Sequence, residues 1–180
     1  MDKDGLQTKF VDCSLDLHGE QILEILNEAI VNSTAIYEYE PRLSSSMGPW
    51  FQSKAAGFPV IGLEAEDGGL LGFATYGPFR AWPAYKYTVE NAVYVRHDMR
   101  GQGLGGVLLA RLIETAKRRD CHVLVAGIDA ANRASIALHQ KHNFQHAGTV
   151  RECGFKFGRW LDLAFYQLVL AEPAQPVEAP

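Results

Sequence analysis

The chain has 180 residues, with 17 Lys and Arg against 21 Asp and Glu, and its formal net charge is −4 at pH 7. With 47% hydrophobic and 21% charged residues it is too apolar for intrinsic disorder, and its mild acidity argues against a nucleic-acid binder, which needs a basic face. Three cysteines without a CxxC pair argue against a zinc knuckle or a disulfide framework and favour a reducing cytoplasm. No apolar run approaches the length of a membrane span. We therefore expect one soluble, cytoplasmic domain over residues 1–170 and a flexible tail over 171–180.

The first half of the chain predicts a strand, two helices and a hairpin. Residues 8–12 read as a strand, and apolar residues at helical spacing over 18–32 predict an amphipathic helix. The serine-opened stretch 44–57 predicts a second helix. The apolar runs VIGLEA and LLGFATY flank the turn sequence EDGG, which predicts a β-hairpin, and a loop follows over 77–86.

The second half of the chain predicts alternating strands and helices. Over 87–95 the alternation puts Glu90 and Tyr94 on one face of a strand and Asn91 on the other. The further predicted elements are a helix through Arg119, a strand over 121–128, a helix over 132–142 and strands over 145–157 and 160–170. The order β-α-α-β-β-β-α-β-α-β-β indicates an α/β protein, with a mixed sheet and helices on both faces.

The sharpest local feature is the glycine-rich turn RGQGLGG, residues 100–106, between a strand and a helix. Glycines let the backbone approach a ligand, and the N–H groups at the start of a helix favour a pyrophosphate. Gly101, Gly103 and Gly106 formally satisfy GxGxxG, with Asp129 as a ribose-binding acid. Two features argue against a dinucleotide site: Asp129 lies 28 residues beyond Gly101 instead of the usual ~20, and repeated βαβ units are lacking.

The same loop, read from Arg100 as RGQGLG after VYV, resembles the acyl-CoA loop of the GNAT N-acetyltransferases. The segments TVENAVYVRHDMRGQGLG, VLVAGIDAANRASIALHQKHNF and GFKFGRWLDLAFYQL resemble the phosphinothricin and methionine sulfoximine N-acetyltransferases of that family. The resemblance covers roughly residues 8–170. It implies the GNAT fold, a mixed, mostly antiparallel sheet with a splayed strand pair. It also implies direct transfer of the acetyl group of acetyl-CoA to the α-amino group of a small amino acid, and a homodimer that packs near FKFGRWLD.

The resemblance assigns the acetyl-CoA site to three segments. The backbone of the strand before the loop would hold the pantetheine arm, and Asn132 would hydrogen-bond it. Asn132 would also serve as a helix N-cap, and both roles can coexist. The loop would cradle the pyrophosphate through its N–H groups, with added charge from the arginine. The matching strand and loop residues are Val93, Tyr94, Val95, Arg100, Gly101, Gln102, Gly103, Leu104, Gly105 and Gly106.

Two residues match the catalytic positions of the family. An α-amino group has a pKa of about 7.7–8.0, so its deprotonation at pH 7 costs roughly 1 kcal/mol, which is small enough for a carboxylate to act as the base through a water molecule. Glu90 matches the family's base, with an outward-facing strand glutamate as the alternative. His139 matches a family histidine that could orient the water or protonate the departing thiolate. With His142 and His146 it has metal-like spacing, but no carboxylate or cysteine completes a site, and no metal is expected.

The resemblance places the substrate pocket in the stretch 79–92. Its candidate residues are Phe79, Arg80, Ala81, Trp82, Lys86, Glu90, Asn91 and Ala92. Arg80 could bind a carboxylate or an oxyanion bidentately. Lys86 stands where sulfoximine-type members often carry arginine. The lysine ammonium is a point charge and lacks the planar guanidinium that binds two oxygens at once, so the preference for the polar head of the substrate can differ. Phe79, Trp82, Tyr85 and Tyr87 could equally be core aromatics.

Two other functions remain open from the sequence. One is a GNAT enzyme for another amine, such as a polyamine, an aminoglycoside or a protein N-terminus. Arg80 and Lys86 favour a substrate with an anionic group instead. The other is a non-catalytic acyl-CoA sensor, against which the presence of both Glu90 and His139 argues.

Overall fold

The computed structural model describes residues 7–55, 57–171, 173 and 175–178. Its strands are β1 (Thr8–Asp12), β2 (Val60–Ala65), β3 (Leu70–Pro78), β4 (Thr88–Val95), β5 (Val123–Asp129), β6 (Gln145–Lys156) and β7 (Arg159–Val169). Its helices are α1 (Leu15–Asn32), α2 (Met47–Lys54), α3 (Leu104–Arg118) and α4 (Arg133–Lys141). Their order is the predicted one. Residues 1–6 and 56 of the expected domain, the latter within the predicted second helix, and 172, 174, 179 and 180 of the expected tail lie outside the described residues.

The strands form one sheet in the order β1-β2-β3-β4-β5-β7-β6. In the described sheet, β4 and β5 are parallel and the other neighbours are antiparallel. A parallel pair needs a crossover connection, which α3 supplies between β4 and β5. The predicted mixed, mostly antiparallel α/β sheet is therefore confirmed.

The parallel pair separates along its length. Across the described parts of both strands, Thr88–Glu90 pair with Val123–Val125 and the ladder then stops. Beyond this point β4 stays paired with β3 as far as Val95, and β5 stays paired with β7 as far as Asp129. The inner edges of β4 and β5 therefore face a gap, as the splayed strand pair of the family resemblance predicts.

Two apolar clusters cover the two faces of the sheet. On one face α3 packs its buried leucines against β2, β3 and β4, and on the other α1 packs against β3 and β4, with α2 beside it. The helical spacing of these residues gives each helix one buried stripe, and each fully buried Leu or Ile contributes about 1.5–3 kcal/mol. The fully buried side chains include Leu108, Leu109, Leu112 and Leu124 on the first face and Ile22, Ile30, Met47 and Phe73 on the second.

The two N-terminal helices begin at different residues from those predicted. α1 begins at Leu15 because Ser14 caps it: its hydroxyl accepts from the Leu17 N–H at 3.4 Å, and its own N–H donates to His18 Nδ1 at 3.0 Å. The other His18 nitrogen, Nε2, donates to Glu64 on β2 at 2.8 Å. The predicted second helix opens with a 3-10 turn over Ser44–Ser46, and α2 follows with Pro49 in its first turn, where no N–H is needed.

Candidate active site

A cleft of about 1140 Å3 opens where β4 and β5 separate. Its walls come from elements far apart in the sequence. They are the end of α1 with residues 33–37, which we call the α1 wall, then the glycine loop 99–106, α4 as far as His139 and the turn between β6 and β7. The exposed edges of β4 from Glu90 and of β5 from Ala126 form its base. The fold thus brings the glycine loop and Glu90, both singled out in the sequence, into one cleft.

The glycine loop ends at the start of α3. Gly101 and Gly103 have φ values of 81° and 83°, a left-handed conformation that favours glycine, and Gly103 is the N-cap residue. The first N–H groups of a helix have no partner within the helix and carry the positive end of its dipole. This end of the cleft can therefore bind an anionic group. Gln102 points elsewhere, with its amide nitrogen 3.9 Å from Met99 Sδ.

Arg100 connects the glycine loop to two other elements. Its Nη2 forms an ion pair with Glu28 Oε2 of α1, and its Nε donates to the carbonyl of Val95 at 3.2 Å. The guanidinium is half-exposed at the mouth of the cleft. A phosphate that binds here meets a cation which already has a carboxylate partner.

Asn132 caps α4 where this helix meets the cleft. Its side-chain oxygen accepts from the Ser135 N–H at 3.1 Å, so the capping role is confirmed. The amide NH2 of the same side chain is chemically available as a second function, because an asparagine offers both an acceptor and two donors.

Glu90 lies at the point where β4 and β5 separate. A Cβ built on Gly127 of β5 would lie 2.9 Å from Glu90 Oε1, so the carboxylate rests against the glycine. Arg80 Nη1 lies 4.0 Å from Glu90 Oε2. Burial raises the pKa of Glu90, and the charge of Arg80 opposes that rise. A partly buried carboxyl with a raised pKa, open to a cleft, can act as a proton acceptor.

Asn91 and His139 form a buried pair on the other face of β4. Asn91 Nδ2 donates to the carbonyl of Val125 at 2.9 Å, which fixes the amide and turns its Oδ1 towards His139 Nε2 at 3.1 Å. His139 Nδ1 faces the Ser135 carbonyl at 2.8 Å. Both ring nitrogens therefore face acceptors, and a neutral ring with one N–H satisfies one of them at a time. Burial lowers the pKa of His139.

The predicted substrate residues divide into two groups. Glu90, Asn91 and Ala92 line the cleft, whereas the residues from Phe79 to Lys86 lie in the connection between β3 and β4 and are not among the residues that line it. Arg80 is linked to the cleft through its contact with Glu90. Arg80 stacks on Phe79, with its guanidinium carbon 4.1 Å from the ring centroid. Trp82 is 74% exposed and Tyr85 42% exposed, which settles the open question for these two: they are not core aromatics.

The α1 wall is a part of the cleft that the sequence analysis did not predict. Thr34 donates from its hydroxyl to Asp129, whose carboxylate is buried at the end of β5. Asp129 also accepts from the Ala131 N–H at 3.0 Å and from Arg159 Nη2 at 3.5 Å. One carboxylate thus joins the α1 wall, the start of α4 and the turn between β6 and β7.

Lys156 fixes the same wall from the other side. Its side chain is buried, and its ammonium donates to the carbonyls of Ile30 at 2.6 Å, Ser33 at 2.9 Å and Ile36 at 2.7 Å. A cation at the C-terminal end of a helix is favourable, because the last carbonyls lack partners within the helix. Burial lowers the pKa of Lys156. Local sequence patterns do not predict contacts between residues so far apart in the sequence.

Two kinds of site are absent from the described residues. No group of three or more His, Cys, Asp or Glu side chains among them is placed to hold a metal ion. Within the same ranges, no helix has the length and apolarity needed to span a membrane.

A mixed sheet that opens between two parallel strands, with a glycine-capped helix at the open end, has the architecture of the acyl-CoA-dependent transferases that the sequence resembles. Residues 21–144 match the model of the Acetyltransferase (GNAT) family. The chain belongs to this family.

Individual relatives narrow the comparison. The L-methionine sulfoximine/L-methionine sulfone acetyltransferase of Pseudomonas paraeruginosa is 45% identical over 156 residues, which cover 86% of this chain and 90% of that protein. A phosphinothricin acetyltransferase from Sinorhizobium meliloti, solved in complex with acetyl-CoA, has a TM-score of 0.89 and 33% identity, and the match covers 95% of this chain and 94% of that one. An N-acetyltransferase from Staphylococcus aureus Mu50 has a TM-score of 0.87 and 48% identity, with 91% and 98% covered.

Proposed function

We propose that this protein transfers the acetyl group of acetyl-CoA to the α-amino group of a small amino acid with a tetrahedral polar head, of the methionine sulfoximine, methionine sulfone or phosphinothricin type. The observation that carries the proposal is the position of the Glu90 carboxylate, at the separation point of β4 and β5 in the same cleft as the glycine loop. The 45% identity to a methionine sulfoximine/sulfone acetyltransferase supports the substrate class.

The residues of the cleft fit acetyl-CoA. The inner edge of β4 over Val93–Val95 offers backbone groups to an extended chain, in the manner of an added strand. The loop from Arg100 to Gly106 offers N–H groups and a cation to the pyrophosphate, and the Asn132 amide offers a donor to the pantetheine. When bound there, acetyl-CoA supplies the acetyl group and departs as the free thiol.

Glu90 is the proposed general base. It accepts the proton of the substrate ammonium group, directly or through one water, so that the neutral amine can form the new C–N bond. Arg80 lies beside Glu90, and the carboxylate and the amine of an α-amino acid share one carbon atom. We therefore assign the substrate carboxylate to Arg80, with Phe79, Ala81, Trp82 and Lys86 at the rim of the same pocket.

We propose that His139 orients other groups of the site and does not itself transfer a proton. Both of its ring nitrogens are engaged inside the protein, one of them with Asn91, which lines the cleft next to Glu90. This geometry favours an orienting role over protonation of the departing thiolate, because a proton donor must reach the reacting atom. Substitution of His139 by Ala should slow transfer while acetyl-CoA still binds.

We further propose that the protein works in the cytoplasm as a homodimer. The cysteine usage supports the compartment. The hairpin of β6 and β7 supports the dimer, because it exposes several large apolar side chains on one element: Val150, Phe155, Phe157 and Trp160. Exposed apolar patches on an element are typical of interaction surfaces.

The test is thiol release from acetyl-CoA across a panel of amines: methionine sulfoximine, methionine sulfone, phosphinothricin, methionine, spermidine and an aminoglycoside. We expect selective turnover of the amino acids with tetrahedral heads. The matched control is the Glu90→Gln variant, which should bind acetyl-CoA with unchanged affinity and turn over at least about a hundredfold more slowly. Turnover of spermidine or the aminoglycoside alone, or acetyl-CoA binding without any turnover, would contradict the proposal.

A further inference from the structure

One polar group of the cleft has no role in the chemistry above. Among the described residues, two side-chain polar atoms are buried without a hydrogen-bond partner, the hydroxyls of Tyr37 and Tyr76. Tyr76 lies in the core beside the Cys121 thiol. Tyr37 belongs to the α1 wall and lines the cleft. A buried hydroxyl without a hydrogen-bond partner is energetically unfavourable. A ligand that supplies an acceptor for this hydroxyl would therefore be stabilised by the new hydrogen bond.

The Tyr37 ring is held in place by the hairpin of β6 and β7. A Cβ built on Gly154 of β6 would lie 2.7 Å from Tyr37 Cε2, so the ring packs directly on the glycine. Lys156, two residues further along β6, binds the carbonyls of Ser33 and Ile36 on the N-terminal side of Tyr37. These contacts hold the ring at the cleft wall. Because the hydroxyl itself is buried, a small shift of the ring is needed to bring it to a ligand.

The location of Tyr37 indicates which part of an amino acid it meets. Glu90 rests on Gly127, whereas Tyr37 lies within electrostatic reach of Asp129 and Arg159. Asp129 is two residues beyond Gly127, about 7 Å along an extended strand. Glu90 and Tyr37 line the same cleft, so a substrate with its amine at Glu90 and its carboxylate at Arg80 would have room to extend its side chain towards Tyr37.

We propose that the Tyr37 hydroxyl donates a hydrogen bond to an oxygen on the polar head of the acceptor amino acid, and that Lys156 is the positioning residue that holds it there. This inference rests on the proposed function. Burial and the nearby carboxylates raise the pKa of Tyr37 to about 12, so the hydroxyl keeps its proton and can donate throughout the working range. The contact selects side chains that carry an acceptor oxygen over plain apolar ones.

The experiment compares methionine sulfone with methionine in the Tyr37→Phe variant. We expect kcat/KM for the sulfone to fall roughly three- to tenfold, which corresponds to the loss of one neutral hydrogen bond. kcat/KM for methionine and KM for acetyl-CoA should be unchanged, and the melting temperature should not fall, because the change removes an unpaired hydroxyl. The matched control is Tyr39→Phe, whose hydroxyl donates to the Phe155 carbonyl at 2.8 Å and whose side chain is largely exposed.

The Lys156→Met variant tests the positioning role. It should lower the preference for the sulfone over methionine, and adding Tyr37→Phe to it should cause little further loss, because the two changes remove the same contact. If Lys156→Met does not fold, Tyr37→Phe decides alone. Unchanged sulfone turnover in Tyr37→Phe, or an equal loss for sulfone and methionine, overturns the inference and leaves the proposed function intact. A wild-type protein that acetylates no amino acid overturns both.

Discussion

The proton affinity of Glu90 is set by two opposing influences. Partial burial raises the pKa of its carboxyl group, and the Arg80 guanidinium 4.0 Å away lowers it. A base works best when its pKa lies close to the working pH, because it is then both deprotonated and basic. The environment of this one residue therefore suits the removal of a proton from an ammonium group.

Substitution of Arg80 by Ala should move the acidic limb of the pH profile. Glu90 acts as a base only when deprotonated, so activity rises as the pH passes its pKa. Loss of the Arg80 cation raises that pKa, and the limb should shift to higher pH by about 0.2–0.7 units, since a half-exposed pair contributes about 0.2–1 kcal/mol. The measurement is kcat/KM for the acceptor against pH, with Glu90→Gln as the control that lacks the limb. A shift to lower pH would contradict the assignment.

Gly127 is required by the position of Glu90. A side chain at Gly127 would meet Glu90 Oε1 at 2.9 Å, closer than ordinary contacts allow. We expect Gly127→Ala to displace the carboxylate and to lower kcat by up to about a hundredfold with little effect on the unfolding free energy. The control is Gly48→Ala on α2, where an added Cβ would have no heavy atom within 4 Å. Wild-type kcat in Gly127→Ala would show that the carboxylate position is not critical.

At the level of single elements, the residue that begins α4 both caps the helix and faces the cleft. Asn132 caps this helix through its oxygen and offers its NH2 group to the cleft. Serine is also a good N-cap but lacks the amide donor, so the two roles can be separated by substitution.

Asn132→Ser should therefore raise KM for acetyl-CoA by roughly three- to tenfold while the unfolding free energy changes by only a few tenths of a kcal/mol. Asn132→Ala should show the same increase in KM as Asn132→Ser and should also lose about 1 kcal/mol of unfolding free energy. Denaturant unfolding and acetyl-CoA titration measure the two effects. A Ser variant with wild-type KM would leave Asn132 as a cap alone.

Local pattern predicted the elements because each has its own periodicity. The alternation in β4 placed Tyr94 and Asn91 on opposite faces, and Tyr94 indeed contacts Phe73 on the α1 face while Asn91 meets His139 of α4. The extra turn at the start of α1 was missed because it depends on the cap at Ser14 and on a partner of His18 in a distant strand.

Only those residues of the site that belong to a recognisable motif could be predicted from the sequence. The glycine loop was visible in the sequence as a pyrophosphate-binding turn, and its acyl-CoA assignment and Glu90 came from the family resemblance. The α1 wall depends instead on Lys156, which binds carbonyls more than a hundred residues away. Such contacts leave no periodic signal. A glycine inside the apolar strand VLVAGID was an available clue, since a strand glycine often marks a close approach.

At the scale of the whole molecule, the β6 end of the sheet carries exposed apolar side chains. β6 is the last strand, and the Phe155 and Trp160 rings of its hairpin with β7 contact each other at 5.2 Å while 47% and 60% exposed. An exposed strand edge with large apolar side chains is an aggregation hazard unless another surface covers it. A second copy of the chain would cover this edge in the homodimer that the family resemblance implies.

The dimer can be tested by introducing a charge at this surface. The wild-type protein should sediment at twice its monomer mass of 19.9 kDa, and Trp160→Glu should weaken self-association by at least about thirtyfold, because loss of a buried interface tryptophan costs about 2 kcal/mol or more. Sedimentation equilibrium over a range of concentrations measures the change. Leu17→Glu is the matched control, since Leu17 is 74% exposed in the first turn of α1, where a carboxylate is favourable. A wild-type protein that remains a 19.9 kDa monomer at every concentration would contradict the homodimer and leave the hairpin without a covering partner.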